Sequence, residues 1–116
     1  GDKLDIVGHD ECLMGMWEIA EATAPYAHYY VASEDSEPFD GWAYDGWLPE
    51  LVNNHEMTAE EVGIEIADAY YAAQSDNATM SVIRLDTMAD LNSTISAFAD
   101  AMMAHPDQYS SINSVV

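Results

Sequence analysis

Hydrophobic period switches back and forth along this chain, and few architectures accommodate that. "KLDIVG", residues 3–8, is a short apolar run centred on Ile6 and Val7, the length of a buried strand. From Leu13 the period becomes helical. Leu13, Met16, Trp17 and Ala20 follow i, i+3, i+4, i+7, with Glu18 and Glu21 turned outward, until Pro25 stops the pattern. "HYYVAS", residues 28–33, is rich in β-formers and predicts a second strand. Thr58 with Glu61 reads as a capping box, opening a helix whose Val62, Ile66, Ala69, Tyr70 and Ala73 form one stripe. "ATMSVIRL", residues 78–85, alternates again and predicts a third strand. Thr87 with Asp90 then starts a last helix carrying Met88, Leu91, Ile95, Phe98 and Met102, up to His105-Pro106. The order strand, helix, strand, loop, helix, strand, helix predicts an α/β fold, with a mostly parallel sheet flanked by helices and ligand chemistry at the strands' carboxyl ends.

The break in this rhythm is residues 34–56, "EDSEPFDGWAYDGWLPELVNNHE", which hold Pro38, Gly41, Gly46 and Pro49. Three bulky aromatics, Trp42, Tyr44 and Trp47, predict an ordered loop over a cleft, with a short helical turn near Leu48 to Asn53. Cys12 and the residues from Glu34 onward both follow strand carboxyl ends. They are therefore expected on one rim of the sheet.

Length and charge bound the function. The chain has 116 residues, enough for one domain with a core and too few for two. Its 22 acidic side chains face only Lys3 and Arg84, for a net charge of -20. Such a surface repels phosphate, which excludes DNA, RNA and anionic membrane as partners. Two positive reasons for the acidity remain: solubility at high salt, and attraction of cationic substrates. A single cysteine allows no internal disulfide, and no Cys or His spacing of the zinc type is present. No run of eighteen apolar residues occurs, and the first residues lack the basic-then-apolar pattern of a signal peptide. The chain begins almost inside a strand pattern and ends on "SSINSVV" with no stop signal, so it is expected to be a piece of a larger protein.

Cys12 has two readings, a buried structural thiol or a nucleophile at a strand-to-helix junction. A helix N-terminus stabilises thiolate, whereas the neighbouring Asp10 and Glu11 oppose it. Alternation through an extended "HDEC" turns Asp10 and Cys12 to one side, and His9 and Glu11 to the other. Asp10 then either holds a cation on a substrate attacked by Cys12 or caps the following helix.

"HDECLMGMWEIAEA" resembles the catalytic-cysteine segment of the clostripain family of cysteine peptidases, whose usual form is Asp-Ala-Cys-Leu-Met-Gly-Met followed by Glu. "YYVASEDSEPFDGWAYDGWLPEL" resembles the family's next segment, where a strand leads to Ala-Ser-Glu, then Glu-Pro, then a Gly-Trp pair. The resemblance covers residues 3–73 well and the rest loosely. It implies a three-layer caspase-like fold and endopeptidase chemistry by a His and Cys dyad, usually after Arg or Lys. Residues 1–116 are then the cysteine-bearing part of such a peptidase domain. On this resemblance Cys12 is the nucleophile, and its backbone N–H joins a Gly beside the catalytic His in the oxyanion hole. Asp10 is an acidic wall of the S1 pocket, with Glu34 and Asp40 as further candidates.

Three departures from the family pattern stand out. Glu11 and His9 occupy places where Ala and Phe are common, and Ala43 stands where Asp is frequent. The family's catalytic His lies upstream of the cysteine, on a strand followed by Gly, and no such segment precedes Cys12 here. His9, His28, His55 and His105 read as structural or solvated, so the general base is expected outside the chain. The expected partners are a peptide or protein substrate with a basic P1 residue and the upstream part of the same peptidase, and the expected location is secreted or cell-surface. The chemistry requires no cofactor. Calcium is a candidate, through oxygen ligands from Asp35, Glu37, Asp40 and Asp45, although no EF-hand pattern is present. Asn77 and Asn92 fit the glycosylation sequon. The competing reading is a non-catalytic, salt-adapted acidic α/β domain that binds through the aromatic loop 38–47.

Overall fold

The first apolar run becomes strand β1, Leu4–His9, and the second becomes β2, Ala27–Ala32, one residue earlier than the sequence pattern suggests. They pair in parallel, with Val7 opposite Tyr30 and Gly8 opposite Val31. These assignments come from a computed structural model, which describes residues 1–74 and 78–114; the Asn77 sequon lies outside the described residues. The chain divides into two units, Gly1–Asp86 and Thr87 onward.

Helix α1 spans only Trp17–Thr23, with Met16 at its N-cap and Ala24 at its C-cap. The helical spacing from Leu13 is overruled there. Leu13 adopts a left-handed φ of 62°, and the Leu13 and Gly15 N–H groups donate to the Asp35 and Ser33 carbonyls. Backbone groups that bond to another segment cannot close helical turns. The cysteine turn is thus laced to the chain leaving β2, and the thiol stands well before the helix N-terminus.

Residues after β2 fold into two helices where the sequence predicts one turn and one helix. Helix α2 runs Tyr44–Asn53 through Pro49, and α3 runs Ala59–Ala73. A proline inside a helix removes one hydrogen bond and disfavours α2 locally. Packing of Trp47 and Leu51 against the core offsets this. The capping box opens α3 as predicted: Thr58 Oγ1 accepts from the Glu61 N–H at 3.3 Å, and Glu61 Oε2 accepts from the Thr58 N–H at 2.7 Å.

The second helix changes the direction of β3, Ser81–Arg84. One helix between two strands returns the chain to its starting end and gives parallel pairing, as β1, α1 and β2 show. Two helices bring it back to the end where β2 finished. Accordingly β3 pairs antiparallel to β2, with Val82 opposite Val31 and Ile83 opposite Tyr30, in the order β1-β2-β3. The expected parallel pairing is therefore confined to β1 and β2.

Alternation along β2 divides the packing between two faces. Val31 joins Trp42, Val62, Ile66 and Tyr70 in the core beneath α3. Gly63 lets α3 approach β3 closely, since a Cβ there would stand 2.7 Å from Val82 Cγ1. On the other face Tyr30 is fully buried, its hydroxyl donating to the Met14 carbonyl at 2.8 Å, and α1 packs against β2. At the carboxyl end of β2, buried Ser33 accepts from the Asp35 N–H at 3.2 Å and lies 2.9 Å from the Thr79 hydroxyl. That cluster ties the start of the long loop to the approach into β3. In the second unit, α4 spans Met88–Ala104 and α5 spans Tyr109–Asn113. Helix α4 starts and stops where Thr87 and His105-Pro106 predict, without a side-chain capping bond from Thr87.

Candidate active site

Strand β1 ends at His9, so Asp10 and the cysteine turn emerge at the carboxyl edge of the sheet. Cys12 is exposed. Its sulfur lies against the main chain of Glu37, accepting from the Glu37 N–H at 3.2 Å and standing 3.7 Å from the Glu37 carbonyl. Of the two readings of the thiol, a buried hydrophobe is excluded. Cys12 lines an open cleft of about 410 Å³ together with Asp10, Glu11, Glu37, Pro38, Phe39, Asp40 and Gly41.

Asp10 turns toward the aromatic loop, where its Oδ1 accepts from the Trp42 backbone N–H at 3.1 Å and its Oδ2 from the Tyr44 hydroxyl at 3.0 Å. Gly41 passes close over this carboxylate with a left-handed φ of 68°; a Cβ there would stand 2.7 Å from Oδ2. Only glycine meets both demands cheaply. Asp10 therefore fastens the loop rather than capping α1, whose N-cap is Met16. Asp40 lines the same cleft. Glu34 does not: its Oε1 accepts from the Ser81 hydroxyl at the edge of β3. The structure thus brings Cys12, Asp10 and Asp40 together and leaves Glu34 apart.

Two residues that hold this site, one lining the cleft and one behind it, escaped the sequence reading of the pocket. Tyr44 holds Asp10, and Glu37 holds both the thiol, through its main chain, and the Trp42 ring. Trp42 Nε1 donates to Glu37 Oε1 at 3.2 Å. Glu37 stands directly before Pro38, the one local signal that its backbone is fixed. Only the indoles of the aromatic loop turn inward, with Trp42 7% exposed and Trp47 packed on the core, while Phe39 and Tyr44 remain exposed. The loop therefore offers little surface through its indoles, and presents Phe39 to the cleft beside the carboxylates of Glu37 and Asp40.

Gly8 sets the position of Trp42. A Cβ at residue 8 would stand 2.6 Å from Cη2 of the indole. Gly8→Ala is expected to push the ring outward and destabilise the fold by about 1–3 kcal/mol. The denaturant midpoint should fall, with a change in tryptophan fluorescence from the displaced ring.

Among the described residues no histidine hydrogen-bonds the thiol, whose partner is the Glu37 main chain. The His9 ring packs edge-on against Tyr30, with Nδ1 3.8 Å from the Glu11 carboxylate. His28 lines a separate, smaller cavity with Tyr29, Arg84 and Asp86. Among the described residues no group of three or more His, Cys, Asp or Glu side chains is arranged to hold a metal ion.

A sulfur and two carboxylates on one rim of an α/β sheet invite comparison with known proteins. The profile of the clostripain family matches residues 1–115. The chain belongs to that family. Among solved structures it is similar to an inactive zymogen C11 protease from Parabacteroides distasonis, at 26% identity and a TM-score of 0.68, over 79% of this chain and 25% of that one. It is also similar to a clostripain from Bacteroides thetaiotaomicron in complex with the peptide inhibitor BTN-VLTK-AOMK, at 18% identity and a TM-score of 0.63, over 77% of this chain and 39% of that one. A cysteine protease from B. fragilis matches at 22% identity and a TM-score of 0.63, over 78% of this chain and 41% of that one. The chain thus spans between a quarter and about two fifths of the length of these proteases. Among curated proteins none matches.

Proposed function

We propose that this clostripain-family chain is the cysteine-bearing part of a cysteine endopeptidase that cleaves after Arg or Lys. Its sole thiol and the carboxylates of Asp10 and Asp40 line one open cleft, and that single observation carries the reading. Cys12 is the nucleophile. The general base is a histidine in another segment of the peptidase, because the nearest candidate, His9, is engaged with Tyr30 and Glu11. That histidine takes the thiol proton as the sulfur bonds to the scissile carbonyl carbon, then gives it to the departing amine; water hydrolyses the thioester. The resemblance adds a caspase-like fold for the whole domain.

Asp10 and Asp40 form the S1 pocket. A cationic P1 side chain leaving water needs a carboxylate already aimed at it. Asp10 meets that need because the Trp42 N–H and Tyr44 hydroxyl fix its orientation before substrate arrives. The same pocket makes a peptide or protein with basic P1 the substrate class. One relative in the comparison is a secreted protease, and among the described residues no helix is long and apolar enough to cross a membrane. Secretion or display at the cell surface is part of the proposal.

Treating the intact folded protein with an Arg chloromethylketone tests this. The adduct is expected at Cys12, and Asp10→Ala is expected to abolish the labelling. Absence of any Cys12 adduct would overturn the assignment.

A further inference from the structure

Glu37 has no part in the chemistry so far, yet it touches both the thiol and the Trp42 ring of the loop that Asp10 fastens. Its N–H and carbonyl bracket the Cys12 sulfur, and its side chain lines the cleft. Trp42 uses two donors to draw two carboxyls together: the ring N–H holds Glu37 Oε1 and the backbone N–H holds Asp10 Oδ1. The other Glu37 oxygen, Oε2, is buried without a donor. A bare carboxylate oxygen withdrawn from water is costly unless it is protonated or paired. A proton on Oε2, shared with the Asp10 carboxylate, satisfies it.

We propose that Glu37 is a positioning residue of this cleft, a proton-sharing partner of Asp10 whose ionisation sets how strongly the site attracts a cationic side chain. The identity of that cation as a P1 residue rests on the peptidase reading; the charge-setting role does not. Burial pushes the Glu37 carboxyl up to about 6, and the Asp10 carboxylate, with Glu11 beyond it, pushes the same way against the Trp42 N–H. The groups that face it are Asp10, Glu11 and Cys12 from the turn after β1, Asp40 from its own loop, Tyr44 from α2 and Tyr70 from α3. No basic residue lines this cleft. Lys3 donates to the Ala24 carbonyl, and Arg84 pairs with Asp86.

Below about 6 Glu37 carries the shared proton and the cleft presents one negative charge fewer. As pH rises through that value the proton leaves and cation attraction grows. A bound cation favours the ionised form, so binding releases a proton near pH 6. Stability moves the other way. A carboxyl raised on folding supports the fold fully below its unfolded value, and that support is lost as pH climbs through the folded one.

Thiol labelling reads the charge directly. Cys12 of the intact protein is modified with a trimethylammonium-bearing methanethiosulfonate and, separately, with neutral methyl methanethiosulfonate, and the Cys12 peptide is quantified by mass spectrometry. The ratio of the two rates cancels the thiolate fraction. It is expected to rise about 3-fold between pH 5 and 7.5, the order of effect that one further nearby charge exerts in a watery cleft. In Glu37→Gln the ratio should stay flat. A ¹³C carboxyl titration of the unsubstituted protein gives a second readout that no folding defect can confuse, with a Glu37 midpoint near 6 that falls in Asp10→Asn. A flat ratio in the unsubstituted protein, an unchanged step in Glu37→Gln, or a midpoint in the ordinary carboxylate range would overturn the inference. Neither measurement needs turnover. A protein that shows the step but cleaves no peptide loses the peptidase reading and keeps this one.

Discussion

Cys12→Ala is expected to lower peptidase activity of the intact protein by at least about 10³-fold while leaving its unfolding midpoint nearly unchanged. The two halves of this expectation have separate causes. Alanine has no atom to acylate, so what survives is the rate that binding and any oxyanion donors sustain without a nucleophile. The fold, in contrast, asks little of the thiol. Cys12 is exposed, and its sulfur bonds only to the Glu37 main chain, a weak interaction whose loss costs less than about 1 kcal/mol. Single-turnover assays with a fluorogenic Arg-amide, alongside thermal unfolding, check both halves. If the proposed dyad holds, also removing its histidine in the same protein should cost little more, because a nucleophile and its base act as one unit. Full activity in Cys12→Ala would move the chemistry to another residue.

How far the sequence anticipated this molecule depends on whether the deciding interaction was local. The capping box at Thr58 and Glu61 is written in adjacent residues, and α3 begins where it says. The helix expected from Leu13 fails for the opposite reason. Leu13 and Gly15 have the right spacing, but their N–H groups bond to Asp35 and Ser33, a partner segment that periodicity cannot reveal. The direction of β3 was hidden by the same blindness. It depends on counting the helices before it, and the breakers around residues 41–49 shortened α2 in the sequence reading to one turn near Leu48 to Asn53.

The site divides along that line too. Cys12, Asp10 and Asp40 were legible through a motif whose spacing encodes the rim of the sheet, and they meet in one cleft. Glu34 follows the same strand end, yet the Ser81 hydroxyl at the edge of β3 engages its carboxylate. Glu37 reads in sequence as one more solvated acid in an acidic loop. Only the Trp42 ring, five residues on and buried against Gly8, shows that this carboxyl is held in place.

Asp10→Asn carries the largest expected effect on specificity, a loss of about 10²-fold in kcat/KM for Arg and Lys substrates with little change for neutral ones. The substitution keeps the shape. Asn Oδ1 still accepts the Trp42 N–H, and the Tyr44 hydroxyl turns to accept from the new amide, so the loop stays fastened. What disappears is a charge in a half-buried position. A hydrogen-bonded charge pair that loses one partner typically costs 2–5 kcal/mol, and the open cleft argues for the lower part of that range, about 10²-fold. Asp40 is exposed and in water, where an ion pair contributes far less, so it does not make up the loss. Comparing kcat/KM for matched substrates with Arg and with its neutral isostere citrulline at P1 isolates the charge from the size of the side chain. An Asp10→Asn enzyme that keeps its preference for Arg would assign the pocket's charge to Asp40 and leave Asp10 as a loop fastening alone.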